Sequence, residues 1–189
     1  MDLPSIQTEH SYLRVLNYDL DTECIRDVSE KLFKNPEIRV YGKICHQHRS
    51  VGFFSDTSEG YKYSGRLMKS QSLTPSLKTL LEDINRTFGL RFNGILVNRY
   101  ESGMDYISAH SDDEKGIQVN DVVSISYGAV RTFRIRDKVG GKIVADIPTE
   151  SGKIIHMGGE FQREFTHEIP IQKRIQGIRY SFTFRYHVV

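Results

Sequence analysis

The sequence predicts a mainly β domain of the sandwich or barrel type, with two helices before its main run of strands. Seven short segments of alternating or continuous apolar residues follow residue 91, and turns containing glycine separate most of them. Before residue 91, two segments repeat apolar residues at helical spacing. The chain has 189 residues and 38% hydrophobic content, which is enough to bury one core, and it contains no internal repeat.

The two helices are predicted from capping residues and apolar periodicity. The first is expected to begin after Asp21 or Thr22, because either side chain can accept a hydrogen bond from a free amide of the first turn. Its apolar face would consist of Ile25, Val28, Leu32 and Phe33. The second has Thr74 as N-cap, Pro75 at the first helical position and Gly89 as a stop. Its apolar face would consist of Leu77, Leu80, Leu81, Ile84 and Phe88. We expect both faces to pack against a sheet.

The strands are predicted from runs of apolar and alternating residues that end at turns. The candidate segments are 92–100, 122–126, 132–136, 142–146, 153–157, 166–169 and 178–186. Serial short strands of this kind are typical of an antiparallel sandwich or barrel.

An imidazole and a carboxylate stand two residues apart, at His110 and Asp112. Residues i and i+2 of a strand point to the same face, so both side chains could reach one metal ion. His167, much further along the chain, is the candidate for a third ligand. Two histidines and one carboxylate form the metal site of non-haem Fe(II) oxygenases. On its own, the spacing of His110 and Asp112 is a weak signal that also occurs by chance.

A strand near the C-terminus alternates polar and apolar side chains. Its polar face would carry Arg179, Ser181, Thr183 and Arg185. Guanidinium groups match carboxylates through paired hydrogen bonds, so this face could bind a small dianion. A second polar pair, Asn98 and Tyr100, stands two residues apart upstream of the metal ligands. The alternation of the C-terminal strand fits a solvated, basic strand face equally well, and the segment alone does not decide between the two.

Taken in order, these polar residues resemble the AlkB family of 2-oxoglutarate- and Fe(II)-dependent dioxygenases. The similarity runs from about Ile38 to Arg185 and is greatest to the animal-type AlkB homologues that repair alkylated double-stranded DNA. The segments that point to this branch are Arg39-Val40-Tyr41-Gly42-Lys43, Tyr61-Lys62-Tyr63-Ser64-Gly65, Asn98-Arg99-Tyr100, His110-Ser111-Asp112-Asp113-Glu114 and Val123-Ser124-Ile125-Ser126-Tyr127-Gly128.

The resemblance implies a double-stranded β-helix, or jelly roll, with the two N-terminal helices buttressing one face. It implies a single dioxygenase domain over residues 1–189. Within that domain, residues 1–90 would form an extension with the two helices and the nucleotide-recognition elements. Residues 91–189 would form the catalytic jelly-roll core.

The resemblance also implies a cofactor and a cosubstrate. Fe(II) would be bound by His110, Asp112 and His167. The residues that would bind 2-oxoglutarate are Asn98, Tyr100, Arg179, Ser181, Thr183 and Arg185. Arg179 would pair with the distal carboxylate, and Arg185 would lie nearer the metal-bound end. The family usually has asparagine where this chain has Ser181, so one hydrogen bond near the cosubstrate or a metal ligand is expected to differ.

The implied reaction is the oxidative demethylation of N-alkylated DNA bases, of the 1-methyladenine and 3-methylcytosine type, with release of formaldehyde, succinate and CO2. A base inside a duplex is out of reach of the metal, so such an enzyme must flip it or act on single strands. The resemblance places the contacts to the flipped base at Tyr61, Tyr63, Ser64, Asp113 and Glu114. A base methylated at these positions is cationic, and adjacent carboxylates would favour it over the neutral base.

Tyr41 matches the position at which relatives specific for double strands carry an intercalating aromatic residue. Such a wedge would fill the gap that a flipped nucleotide leaves. Tyr41 also fits an ordinary strand aromatic before a turn, and the sequence leaves both interpretations open.

The expected partner is nucleic acid, duplex DNA with an alkylated base, acted on by a monomer. A net charge of +2 is too small to indicate this partner by itself. Basic residues mixed with aromatics between Lys34 and Lys69 fit phosphate contacts beside stacked bases, and they also fit a solvated face. No segment has the pattern of a signal peptide or a transmembrane helix, so we expect an intracellular protein of the nucleus or cytoplasm with no membrane contact. The same chemistry on RNA or on a protein side chain, or a jelly roll without turnover, remain alternatives.

Overall fold

A computed structural model of the chain describes residues 5–63, 66–118 and 120–188. The strands, in chain order, are β1 (Ile6–Gln7), β2 (Ser11–Asn17), β3 (Phe33–Lys34), β4 (Glu37–Val40), β5 (Lys43–His46), β6 (Ser50–Phe54), β7 (Gly60–Tyr63), β8 (Arg66–Lys69), β9 (Gly94–Tyr100), β10 (Ile107–His110), β11 (Asp121–Gly128), β12 (Thr132–Asp137), β13 (Ile143–Pro148), β14 (Lys153–Gly159), β15 (Phe165–Ile169) and β16 (Arg179–Arg185). The helices are α1 (Glu23–Ser29), α2 (Pro75–Phe88) and α3 (Phe161–Glu164).

Two antiparallel sheets form the framework. The large sheet has eight strands in the order β1-β2-β14-β11-β16-β9-β6-β3, and the small sheet has four in the order β10-β15-β12-β13. Two separate hairpins, β4–β5 and β7–β8, complete the strands. The sheets share an apolar core that includes Met157 and Val122 from the large sheet and Ile135 and Phe165 from the small one. The predicted mainly β fold is confirmed.

Each of the seven predicted strands is present, with ends shifted by a few residues. The first 90 residues supply further strands that the sequence analysis did not predict. Among them, β2 pairs with β14 along its whole length, from Ser11 opposite Gly159 to Asn17 opposite Lys153. The early part of the chain is therefore built into the same sheet as the C-terminal strand β16.

Strand β16 separates an apolar layer from a polar one. All seven of its residues are buried. Its aromatic side chains, Phe182 and Phe184 among them, belong to the same apolar cluster as Leu77 and Ile84 of α2. Because side chains alternate along a strand, the arginines and hydroxyls of β16 point the other way, toward the small sheet. Helices α1 and α2 thus cover the outer face of the large sheet, and the polar residues face its inner side.

Helix α2 agrees with its prediction, whereas α1 is shorter than predicted. The Thr74 hydroxyl accepts a hydrogen bond from the Leu77 amide, and Gly89 ends α2 with a φ of 66°. Helix α1 ends at Ser29, so the predicted extension of its apolar face to Phe33 is wrong. Phe33 lies instead in β3, where it pairs with Val51 of β6 and remains 54% exposed. Pairing with an existing sheet edge replaces further helical turns at this point.

Within the described ranges 5–63, 66–118 and 120–188, no helix is both long enough and apolar enough to cross a membrane.

The N-cap of α2 gives a test of the fold. Replacing Thr74 with alanine removes the acceptor for the Leu77 amide, and we expect a loss of about 1 kcal/mol in the free energy of unfolding, measured by urea denaturation. Thr79→Ala on the exposed side of the same helix is the matched control, and it should cost nothing because alanine is the better helix former. Equal losses from the two changes would contradict the capping role.

Candidate active site

Three possible metal ligands meet between the two sheets. His110 is the last residue of β10 and lies opposite His167 of β15 in the sheet register. The His110 Nε2 atom is 3.8 Å from Asp112 Oδ1, and His167 Nε2 is 3.5 Å from Asp112 Oδ2. One ligand atom from each residue lies within 4.8 Å of the other two. That separation allows the three side chains to bind one metal ion.

The prediction that one strand carries both His110 and Asp112 is wrong in detail. Strand β10 ends at His110, so Asp112 lies in the segment that follows. The His110 Nδ1 atom lies 2.8 Å from the carbonyl oxygen of Ser108, which suits an Nδ1–H donor. This tautomer leaves Nε2 free as a metal ligand, as is usual for metal-binding histidines.

Burial and charge set the protonation states of the three residues. Burial lowers the pKa of His110, and burial together with His110 lowers the pKa of His167 to about 3. Burial alone would raise the pKa of Asp112, but Arg185, with His167 and His110, brings it below its ordinary value. Two neutral imidazoles and an ionised carboxylate are the forms that bind a divalent cation.

Arg185 is the charge partner of Asp112. Its Nη2 atom donates to Asp112 Oδ1 at 2.5 Å, and both side chains are almost fully buried. The guanidinium also lies over the ring of Tyr61, at 5.2 Å from the ring centre. Burial opposes its charge, but Asp112 and Tyr61 raise the pKa of Arg185 above its ordinary value. The two remaining nitrogens of this guanidinium have no hydrogen-bond partner among the described residues.

Arg179 is fixed so that one donor remains free. Its Nε atom donates to Thr149 Oγ1 at 3.0 Å, and its Nη2 donates to Ser126 Oγ at 2.9 Å. The guanidinium lies 5.2 Å from the ring centre of Tyr100. Burial, the largest influence, lowers the pKa of Arg179 to about 10. Its Nη1 atom is buried and unpaired within the described part of the chain, which leaves it available for a carboxylate.

Thr149 and Ser126 were not predicted. Ser126 lies on β11, where alternation places it on the same side as Ser124, so a search for polar alternation could have found it. Thr149 follows β13, and nothing in its surroundings in the sequence indicates that it meets Arg179.

Hydrogen bonds between side chains of neighbouring strands connect the other polar residues near the two arginines. The Asn98 Nδ2 atom lies 3.5 Å from Ser181 Oγ, and Thr183 Oγ1 lies 3.3 Å from Ser124 Oγ. The hydrogen bond between Asn98 and Ser181 is long. It is the contact that would differ if position 181 carried the asparagine that is usual in the family. Asn98 Oδ1 accepts from Arg49 Nε at 2.8 Å. Arg49 belongs to the basic stretch between Lys34 and Lys69 that was expected to contact phosphates or solvent, but this residue is 4% exposed.

One cavity is lined by all the residues predicted to bind iron and 2-oxoglutarate. They are His110, Asp112 and His167 together with Asn98, Tyr100, Arg179, Ser181, Thr183 and Arg185. Arg49 and Tyr61 line the same cavity. The structure therefore brings together side chains that lie far apart in the sequence.

The residues predicted to contact a base do not all lie at the cavity. The Tyr61 hydroxyl donates to Glu114 Oε1 at 3.0 Å, and the Tyr63 ring centre is 6.4 Å from that of His110. Asp113 instead accepts from Lys138 Nζ at 2.7 Å. Of the described residues in this set, only Tyr61 lines the cavity, and Tyr63, Asp113 and Glu114 do not. Tyr41 is fully exposed at the tip of the β4–β5 hairpin. Ser64 lies outside the described residues.

Comparison with known proteins identifies the family. The model of the 2OG-Fe(II) oxygenase superfamily matches residues 12–185. The chain belongs to this superfamily. Human "DNA oxidative demethylase ALKBH2" is 29% identical over 156 residues, which are 78% of this chain and 60% of the relative. The mouse protein of the same name is 28% identical over 204 residues, which are 97% of this chain and 85% of that relative. The chain thus spans about 60% of the length of the human relative, and the resemblance to the AlkB family is confirmed.

Solved structures support the fold of this 2OG-Fe(II) oxygenase. The structure of OsALKBH1 matches with a TM-score of 0.64 and 17% identity, covering 92% of this chain and 97% of the other. At this identity the likeness shows the fold alone. It confirms the predicted jelly roll, in which the large and small sheets are the two layers.

The residues present fit the iron and the cosubstrate of the superfamily. Asp112 Oδ2 is buried without a hydrogen-bond partner among the described residues, as expected of a carboxylate oxygen reserved for a cation. In the same way, the unpaired Arg179 Nη1 is a buried donor that can bind an anion. Fe(II) would be bound by His110, Asp112 and His167, and the distal carboxylate of 2-oxoglutarate by Arg179.

The assignment of Arg179 can be tested by a change that keeps its charge. Arg179→Lys removes the fork that contacts Thr149 and Ser126, and we expect the KM for 2-oxoglutarate to rise at least about tenfold, or about 1.4 kcal/mol. The measurement is succinate formation against 2-oxoglutarate concentration. Arg134→Lys is the matched control, because Arg134 makes a forked contact with Asp146 and does not line the cavity. An unchanged KM in the Arg179 variant would transfer the role to Arg185.

Proposed function

We propose that this chain oxidatively demethylates N-alkylated bases, of the 1-methyladenine and 3-methylcytosine type, in duplex DNA. The observation that carries the proposal is the pair formed by Tyr61 and Glu114 at the edge of the iron site. The names of the human and mouse relatives, DNA oxidative demethylase, support the same substrate class.

Glu114 suits a cationic base. Burial raises the pKa of Glu114, and its Oε2 atom has no hydrogen-bond partner in the described ranges. An unpaired buried carboxylate oxygen is costly, and a base that carries both positive charge and an N–H donor would relieve that cost. A neutral base would supply the donor but not the charge. This difference favours the methylated base.

Aromatic rings next to the metal ligands suit the flat face of a base. Tyr63 stands edge-on to His110, with ring planes at 84°, and Tyr61 stacks beside Tyr63 at 6.0 Å between ring centres. In the proposed complex, Tyr63 turns so that the base lies between its ring and His110. Stacking would orient the methyl group toward the metal without any requirement for a particular sequence.

Tyr41 suits the role of a wedge that fills the place of the flipped base. The β4–β5 hairpin is closed by Tyr41 and Gly42, whose φ values of 48° and 77° match the positive values of a tight two-residue turn. Tyrosine rarely adopts this conformation, so a residue with an easier fit would be expected here if only the turn mattered. Arg39 and Lys43 flank the turn and could contact phosphates on either side.

The protein residues would orient the reactants and exclude water. His110, Asp112 and His167 would bind the iron on one side and leave its other positions open. Bound Fe(II), with 2-oxoglutarate and O2, supplies the oxidation of the methyl group, and the hydroxymethyl product then loses formaldehyde. Arg179 would fix the far end of the cosubstrate, while Arg185 neutralises Asp112. We further propose that the protein acts as a monomer in the nucleus or cytoplasm.

A panel of matched substrates tests the proposed function. Duplex DNA, single-stranded DNA and RNA of one sequence, each with a single 1-methyladenine or 3-methylcytosine, are compared with unmethylated copies. We expect formaldehyde and succinate in equal amounts, fastest on duplex DNA, and none from an Asp112→Ala variant that lacks a metal ligand. A preference for RNA, or no turnover of any methylated strand, would refute the proposal.

The wedge has its own test. Tyr41→Ala should slow repair of duplex DNA about tenfold, because about 1.4 kcal/mol of the cost of unstacking is no longer compensated, and should leave single-stranded DNA nearly unaffected. Tyr41→Phe keeps the ring and is the matched control, expected to behave like the wild type on both substrates. Equal losses on duplex and single-stranded DNA from Tyr41→Ala would exclude the wedge.

A further inference from the structure

The side chain of Gln162 is bonded to the backbone of a metal ligand. Gln162 is 1% exposed and lies in the short helix α3. Its Oε1 atom accepts a hydrogen bond from the Asp112 amide at 2.9 Å. At the other end, its Nε2 atom donates to the sulfur of Met157 at 3.6 Å. Both bonds are buried, so the amide group is fixed between Asp112 and the large sheet.

Asp112 needs such a restraint because it lies beyond the end of a strand. Strand β10 stops at His110, and the next residues are tied to the rest of the protein by side chains. Ser111 Oγ donates to the carbonyl oxygen of Phe165 at 2.8 Å. Gln162 lies in α3, and Phe165 is the first residue of β15, the strand that carries His167. The segment with Asp112 is therefore fastened to the segment that carries the third ligand.

We infer that Gln162 is a positioning residue that fixes the Asp112 carboxylate relative to His167 and so sets the affinity of the metal site. The inference depends on the metal site of the superfamily and not on the substrate. The positioning role of Gln162 can therefore be wrong while the proposed function is right, and the proposed function can be wrong while the positioning role is right.

The physical reason lies in the buried Asp112 amide. Without the Gln162 oxygen this N–H would have no acceptor, and an unpaired buried donor costs enough to move the chain toward another partner. Arg185 holds only the end of the Asp112 side chain, so without the bond to Gln162 the Asp112 backbone could shift and change the position of the carboxylate relative to His167. Outer partners that orient metal ligands are commonly worth about 10–100-fold in metal affinity.

The experiment measures metal binding in the absence of substrate. Calorimetric titration of the metal-free protein with Mn²⁺ gives the dissociation constant, and the visible spectrum of the Co²⁺ form reports the geometry of the ligands. Gln162→Met has nearly the same shape but lacks the oxygen acceptor. Asn85→Ala is the control, because Asn85 makes an equivalent amide-to-backbone bond with Phe92 far from the metal site.

We expect Gln162→Met to weaken Mn²⁺ binding about 10–100-fold and to change the Co²⁺ spectrum. Asn85→Ala should lower the melting temperature with no effect on Mn²⁺ binding. The inference is overturned if Gln162→Met binds Mn²⁺ like the wild type, or if Asn85→Ala weakens binding equally. Should Gln162→Met fail to fold, Gln162→Ala replaces it, since a smaller side chain fits without strain.

Discussion

The ion pair between Asp112 and Arg185 is the contact on which the site depends. Asp112 is completely buried, and Arg185 comes from the large sheet while the histidines beside Asp112 come from the small one. A buried carboxylate without a partner would cost several kcal/mol, about 3–5 kcal/mol when one partner of a buried pair is removed. The pair therefore connects the two sheets at the place where a metal ion requires an ionised ligand.

Strand β16 makes this pair possible because one of its faces packs against the helices and the other lines the cavity. Tyr180, Phe182 and Phe184 face the helices, and without α2 over them this face would be exposed to water. The other face can then be polar throughout, since the apolar face alone fixes the strand in the sheet. Its two arginines stand at opposite ends of the seven-residue strand, so Arg185 reaches Asp112 while Arg179 reaches Thr149 at the other end. The length of the strand thus sets the distance between the group that pairs with a metal ligand and the group with a free donor, where the far end of the cosubstrate would bind.

Much of this arrangement could be predicted from the sequence, because it follows from periodicity. The alternation of β16 and the caps of α2 at Thr74 and Gly89 are local signals, and both were read correctly. Contacts between distant segments leave no such signal. Thr149, Arg49 and Gln162 each meet a predicted residue through the fold alone, and each looks like an ordinary polar residue in its own segment. The end of β10 at His110 was missed for the same reason, since contacts with Gln162 of α3 and Phe165 of β15, and not strand pairing, fix the residues that follow it.

The balance of charge in the cavity explains why the edge of the site matters for selectivity. Among the described residues, Arg49, Arg179 and Arg185 line the cavity, together with the carboxylates of Asp112 and Glu168. Glu168 is paired with Arg136 outside the cavity, so Asp112 is the carboxylate that offsets the three arginines. Iron and 2-oxoglutarate carry opposite double charges, so together they leave this positive excess unchanged. A cationic base would be repelled by the cavity as a whole, and its preference must come from a carboxylate close to it. In the proposed complex that carboxylate is Glu114, whose Oε1 accepts from Tyr61, and Asp113 could join it only by exchanging Lys138 for the base. In the proposed function, selection for the damaged base therefore depends on the nearby Glu114 carboxylate, which acts against the net positive charge of the cavity.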